Sequence, residues 1–441
     1  MWSISFLQNS SGAKDIKFSN MPPSSTRRRG GPGENAEKPP SSGTGSALCV
    51  AVSARSLDPP APPHKKKTHH TRSLLTTLDD HLAFLLWTLI IGTGLLGVPT
   101  VWLAVALFAR SGAGLLVALV TTAAAAWAAA TPLPPDDGRR PPPWAEAFCR
   151  YLITRSVRIL NPGPDGSPGL AVRCAPGAAA SIAALAASST PMLVATEPHS
   201  TLPMGMLLAF HPHAQHLLPP HARPPPALVG ARILASSACF AVPLVRHVWW
   251  WLGVRPADRA SVRAGFAAAR AGRGPPALAL CPGGVAEVAF LTPTPRPPAP
   301  KTETLFLRSR TGFVREALRS GASLVPAFTL GQTSMFSWTP PPLLPRRALK
   351  RLARAVGFMP LWVHNGWGAP LPRRDARLTV LVGAGLVARE GVDAVAAGED
   401  PEPEPATVTA VRDDFIEALC GLVEQMKGGV AGEEATRVVV V

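Results

Sequence analysis

The stretch LALCPGGVAE, residues 278–287, begins as an apolar run and breaks on Pro282-Gly283-Gly284. Four residues of that kind, bounded by proline and glycines, read as a short buried strand entering a tight turn. Without side chains, Gly283 and Gly284 can bring backbone N–H groups close to another segment or to a substrate. Outward from this point, apolar strand-like runs alternate with Ala-rich helical stretches. Ser323–Leu330 (SLVPAFTL) and Leu378–Val382 (LTVLV) read as further strands. Residues 312–320 read as a helix with Phe313, Ala317 and Leu318 inward, Arg315 and Arg319 outward, and Gly321 as its stop. The alternation predicts an α/β fold.

Composition bounds the rest. In 441 residues there are 50 Pro and 38 Gly, far above ordinary usage, so much of the chain is loop or disorder. Lys and Arg number 44 against 28 Asp and Glu, a formal charge of +16 that favours an anionic partner: nucleic acid, a lipid surface or a phosphorylated substrate. The basic residues are scattered, aromatics are few and no recognised nucleic-acid module is present, which sets nucleic acid aside. Six cysteines without CxxC spacing argue against a disulfide framework or a zinc ribbon, and for a reducing, cytosol-facing environment.

Residues 1–72 carry Ser, Pro, Gly and the basic clusters Arg27–29 and Lys65–67 with almost no apolar periodicity; they are expected to be disordered. Ser and Arg richness also suits an organelle transit peptide, but Asp15, Glu34 and Glu37 count against one. From 82 to 109 the chain carries no charge, and a second apolar run covers 113–130. A hydrocarbon core needs about 20 such residues. Basic residues flank the pair on both outer sides, Lys65–67 and Arg72 before it and Arg139 and Arg140 after it, so the expectation is a membrane hairpin over 73–135 with both ends in the cytosol. An α/β domain then fills 136–427, and 428–441 forms a tail. Within the domain, Arg346–Val356 segregates Arg346, Arg347, Lys350, Arg351 and Arg354 from Leu349, Leu352 and Val356. Such a helix suits either an anionic bilayer surface, at about 1 kcal/mol per basic residue near the headgroups, or a solvated face.

Two Pro-His dipeptides lie within 196–222: Glu197-Pro198-His199-Ser200 and His211-Pro212-His213-Ala214. Several separated blocks decide between them, because together they resemble the type-2 diacylglycerol acyltransferases in the form found in plants and algae. EPHS followed by Leu202-Pro203-Met204-Gly205 is similar to that family's EPHS-xLPxG block. The run at 234–254, with Arg246-His247 and Trp251-Leu252-Gly253, is similar to the next. PGGVAE resembles the PGGVxE loop, RSRTGFVR at 308–315 the RxGF block, and LVPAFTLGQ the block that follows it. The likeness continues through 357–372 and 377–383 and covers about 190–425 in the family's order. The chain departs from the pattern at Thr196, Leu330 and Gly385 and lacks an aromatic-Pro signature upstream.

The resemblance places His199 in the matching block and leaves His211 and His213 in an added Pro- and His-rich loop. A metal site at His211, His213 and His216 lacks acidic or Cys companions. The implied chemistry is ester formation between an acyl-CoA thioester and a diacylglycerol hydroxyl, with His199 as general base. It needs no cofactor, acyl-CoA being a co-substrate, and no covalent intermediate. Glu287 is the candidate to orient or charge-balance His199, and Glu197 the second choice. Pro198, Ser200, Gly283 and Gly284 line the substrate, the glycines as oxyanion donors. Arg308, Arg310 and Arg315, with Gly312 and Phe313, either meet the coenzyme A phosphates or serve solvation and headgroup contact. Monoacylglycerol or wax-alcohol transfer shares the same blocks, and a silent lipid-binding scaffold is the non-enzymatic alternative. The implied place is the cytosolic face of the endoplasmic reticulum membrane, with lipid-droplet association and a plastid address as variants; partners are acyl-CoA, diacylglycerol and membrane lipids.

Overall fold

The computed structural model describes 141–441 except 161–167, 242–244, 289–290, 292–300, 342–344, 357–358, 360, 366–367, 369–370, 374 and 387–401. It also describes 78–79, 81–83, 116, 119–120, 122–123, 126 and 130–133. These residues belong to a unit running from His70 to Val441. The disorder expected over 1–72 lies outside the described residues.

The strands are β1 (Leu170–Cys174), β2 (Met192–Glu197), β3 (Arg232–Ala235), β4 (Arg255–Pro256), β5 (Ala277–Leu280), β6 (Thr302–Leu305), β7 (Ser323–Leu330), β8 (Ser337–Thr339), β9 (Trp362–His364), β10 (Leu378–Val382) and β11 (Arg437–Val440). A seven-stranded sheet runs β1-β10-β7-β2-β5-β3-β4. β2 lies at its centre, parallel to both β5 and β7, and only β10 against β7 is antiparallel. The fold is therefore mixed α/β, as the alternation of runs predicts.

Every residue of β2 and of β7 is buried. Strands covered on both faces have no polar face to present, which is why they read as unbroken apolar runs. Alternate side chains feed two cores. Met192 and Val194 point into one with Leu152, Ile153, Phe210 and Val380. Leu193 and Ala195 point into the other with Phe266, Phe328, Phe415 and Leu419. Burial of each such large side chain is worth about 1.5–3 kcal/mol. The helix Gly312–Arg319 has Ala317 and Leu318 inward as expected, and Gly321, at φ 54, ends it.

Two expectations change. The segment 428–441 is joined to the domain, because β11 pairs in parallel with β6 from Arg437↔Thr302 to Val440↔Leu305, beside the long helix Pro405–Met426. The hairpin over 73–135 finds no support: among the described residues no helix is long and apolar enough to cross a membrane. Most of 82–109 lies outside the described residues.

Candidate active site

β2 and β5 are parallel neighbours, with Ala195 opposite Leu280. The segments that follow them, Glu197-Pro198-His199-Ser200 and Cys281-Pro282-Gly283-Gly284, therefore leave the sheet side by side at its carboxyl end, where α/β sheets hold their ligands. The Glu197–Pro198 peptide is cis, and Ser200 takes φ 56. A third segment holds this turn from below. Ser200 Oγ donates to the Gln332 carbonyl at 3.2 Å, and Gln332 Oε1 accepts from the Gly205 N–H at 2.9 Å. The Gln332 amide also donates to the Leu202 carbonyl. Gly205 has to be glycine for this fit: a Cβ there would stand 2.5 Å from Thr329 Cγ2.

Two carboxyls join the segments. Glu197 Oε1 accepts from the Gly283 N–H at 2.6 Å. Glu287 Oε2 accepts from the His199 backbone N–H at 2.7 Å, and its Oε1 accepts from the Phe306 N–H at 3.0 Å. Gly283 leaves room for that carboxylate, since a Cβ on it would lie 2.2 Å from Glu287 Oε1. Glu197 is 0 % and Glu287 2 % exposed, so both are cut off from water. Burial pushes the Glu197 carboxyl well above the usual range, and the neighbouring Glu287 pushes it further. Burial also raises Glu287, opposed by its hydrogen bonds to Glu197 and to the two N–H groups. Arg310 stands close by: it donates to the Gly283 carbonyl at 3.2 Å and lies 5.0 Å over the Phe306 ring.

The His199 ring takes a different partner. Its Nδ1 lies 2.8 Å from the Ser200 carbonyl. A carbonyl only accepts, so Nδ1 carries the hydrogen and Nε2 keeps its lone pair. Burial holds this imidazole below its ordinary pKa, against the pull of the Ser200 bond. The ring is half-buried, neutral and basic at one nitrogen. That is the state a general base needs before it accepts a hydroxyl proton.

Several expected roles are redistributed. Glu287 grips the backbone of His199 rather than its ring, because the tight turn at Ser200 brings a carbonyl to Nδ1 first. The Gly283 N–H is committed to Glu197, which removes it as an oxyanion donor; Gly284, at φ 56, remains the candidate. Arg308, Arg310 and Arg315 do not converge into a phosphate clamp. Arg308 Nε donates to the Val440 carbonyl at 3.2 Å, Arg310 lies under the glycine turn, and Arg315 Nε is 3.7 Å from Glu402 Oε1. Gly312 opens its helix at an exposed position, and Phe313 packs edge-on against Phe415 at 5.2 Å, in the core. Pro198 is buried in the turn.

The second Pro-His dipeptide stands apart. His211 Nδ1 accepts from the His213 N–H at 3.2 Å and caps the short 3-10 helix Pro212–Leu217. Burial, with the neighbouring His213, lowers its pKa to about 3. Among the residues that the sequence reading passed over, Gln332 and Phe306 matter most. Gln332 ends the LVPAFTLGQ block and was legible there as a polar residue closing a buried strand. Phe306 reaches the carboxyls through its N–H, and a backbone donor leaves no signal in a sequence.

A family profile described as diacylglycerol acyltransferase matches residues 184–440, more than half of the chain. The chain is 30 % identical to mouse acyl-CoA wax alcohol acyltransferase 2 over 47 % of its own length and 59 % of the relative's. It is 29 % identical to diacylglycerol O-acyltransferase 2B of Umbelopsis ramanniana over 44 % of its length and 53 % of the relative's. With human diacylglycerol O-acyltransferase 2-like protein 6 it shares 29 % identity over 33 % of its length and 39 % of the relative's. The matches thus span roughly two fifths to three fifths of these relatives. No solved structure matches the chain.

Proposed function

Because this chain belongs to the diacylglycerol acyltransferase family, we propose that it moves an acyl group from acyl-CoA to the free hydroxyl of diacylglycerol. The observation that carries the reading is the His199 ring, pinned at Nδ1 by the Ser200 carbonyl with Nε2 left basic. Nε2 removes the hydroxyl proton as the oxygen attacks the thioester carbonyl; the C–S bond breaks and coenzyme A leaves as the thiol. The thioester is already activated, so alignment and oxyanion stabilisation supply the rest of the rate, and the Gly284 N–H is the proposed donor.

The N-terminal apolar run, uncharged from 82 to 109, is proposed to hold the domain at the cytosolic face of the endoplasmic reticulum. Leu116, Leu119 and Val120, exposed apolar residues next to that run, support a lipid-facing segment. The acceptor follows the fungal relative's name; wax alcohol and 2-acylglycerol transferases are matched at similar identity, so fatty alcohols and monoacylglycerol are the competing acceptors. Microsomes expressing the chain are given labelled acyl-CoA and each acceptor in turn. Labelled triacylglycerol that disappears in His199→Ala is expected. Labelled wax ester instead would overturn the acceptor, and product that survives His199→Ala would overturn the general base.

A further inference from the structure

The two buried carboxyls are unequal, and the inequality shows what each does. Glu287 is filled with donors: the His199 N–H on Oε2 and the Phe306 N–H on Oε1. Glu197 receives one donor, the Gly283 N–H on Oε1, while its Oε2 meets none among the described residues. A buried carboxylate oxygen without a donor is costly, whereas a carboxyl O–H that can itself donate to a neighbour is satisfied. The two acids crowd the same residue: the Gly283 N–H lies 2.6 Å from Glu197 Oε1, and a Cβ on Gly283 would stand 2.2 Å from Glu287 Oε1. Arg310 is the cation facing the pair, and the other titratable groups around it are Cys281, at the end of β5, and Glu303, on β6. One guanidinium balances one negative charge and leaves a second uncompensated.

We propose that Glu197 and Glu287 share a single proton, held on Glu197 Oε2 and donated to Glu287, and that this neutral–anionic pair is a positioning device that fastens the His199 turn to the glycine turn. The inference deepens the acyltransferase reading and rests on it for its kinetic consequences. Glu197 grips the glycine turn through Gly283 and grips Glu287 through its proton; Glu287 grips the His199 backbone. The chain of bonds Gly283–Glu197–Glu287–His199 closes on itself within the PGGVAE stretch, so the imidazole is set relative to the Gly284 N–H. Neither carboxyl exchanges a proton with the substrate, which makes both of them positioning residues.

The pair predicts an asymmetry between two isosteric changes. In Glu197→Gln the amide still accepts from Gly283 and still donates to Glu287, so kcat falls by less than about tenfold. In Glu287→Gln an NH2 group is turned against a backbone N–H, and kcat falls by about 10- to 100-fold or more beyond the loss in Glu197→Gln, with KM for acyl-CoA little changed. Glu197→Ala, which keeps neither bond, is expected to resemble Glu287→Gln. The experiment uses the full chain in detergent, with thermal melts to show that each variant folds. Independently of turnover, an infrared difference spectrum at pH 7 between wild type and Glu197→Gln is expected to show the carbonyl band of a protonated carboxyl. Equal losses in the two Gln variants, or the absence of that band, would overturn the shared proton. A wild-type protein that forms no ester from any acceptor would overturn the acyltransferase reading, and the infrared band would still decide the pair.

Discussion

Two Pro-His dipeptides lie a dozen residues apart in this chain, and the fold treats them in opposite ways. At Glu197-Pro198-His199-Ser200 the backbone leaves the central strand beside a glycine turn, and hydrogen bonds to Gly283, Glu287 and Gln332 hold it, with the Phe306 N–H steadying Glu287 in turn. At His211-Pro212-His213-Ala214 the backbone winds into a 3-10 helix, and the first imidazole spends its acceptor on that helix's own N–H. One histidine keeps a basic nitrogen because a carbonyl occupies the other; its neighbour's Nδ1 is consumed by capping. Spelling does not distinguish them, and the element that precedes each one does: a buried strand before Pro198, and the helix Met204–Phe210 before His211.

The sharpest way to break this comparison is to remove each ring in turn. His199→Ala is expected to lower kcat by about 10²- to 10⁴-fold, the range of a general base. His211→Ala should leave turnover at the wild-type level, measured as labelled ester formed per minute. An equal loss from both would mean that the two motifs cooperate. Next in size is Gly283→Ala. Its Cβ would stand 2.2 Å from Glu287 Oε1, so the carboxylate has to move off the His199 N–H. Overpacking of this kind costs about 1–3 kcal/mol, and chemical denaturation together with kcat should both register it.

A smaller effect sharpens the contrast through pH. His211 has a folded pKa of about 3 against an ordinary 6.5, so folding favours its neutral form. Below pH 6.5 the unfolded chain binds a proton that the folded chain does not. Stability from this group is therefore whole above 6.5 and is lost as pH falls toward 3, at up to about 1.4 kcal/mol per unit. His211→Asn keeps an acceptor for the cap without titrating, and its unfolding midpoint should lose less in acid than the wild type's. His199 is lowered as well, so the acid limb of kcat/KM should fall below the ordinary imidazole value and vary with the substrate-free enzyme's state. Smallest of all is the cap itself: His211→Ala at pH 8 should cost about 1 kcal/mol of stability.

How much of this was legible beforehand varies element by element. Ser323–Leu330 and Leu378–Val382 are strands at the bounds their apolar runs give, because a strand covered on both faces must be apolar throughout. Glu197, His199, Gly283 and Glu287 come together as their ordered blocks suggest. The partners within that cluster were not legible: the ring's bond to Ser200 depends on a backbone carbonyl turned by φ 56, and Glu287 reaches a backbone N–H 88 residues away. The arginines misled for the same reason. Arg308, Arg310 and Arg315 are near in sequence, but a turn and a helix start send them to β11, the glycine turn and Glu402.

The sequence by itself determined which runs could bury both faces, where a glycine turn let the backbone come close to another group, and which ordered blocks mark the family. Those are local properties of side-chain volume, polarity and backbone freedom. Only the tertiary structure decided which nitrogen of His199 stays basic, which carbonyl holds the other, and which histidine is spent on a cap. Each of those choices is a hydrogen bond to a main-chain group, and main-chain groups are the same at every position until the fold brings two of them together.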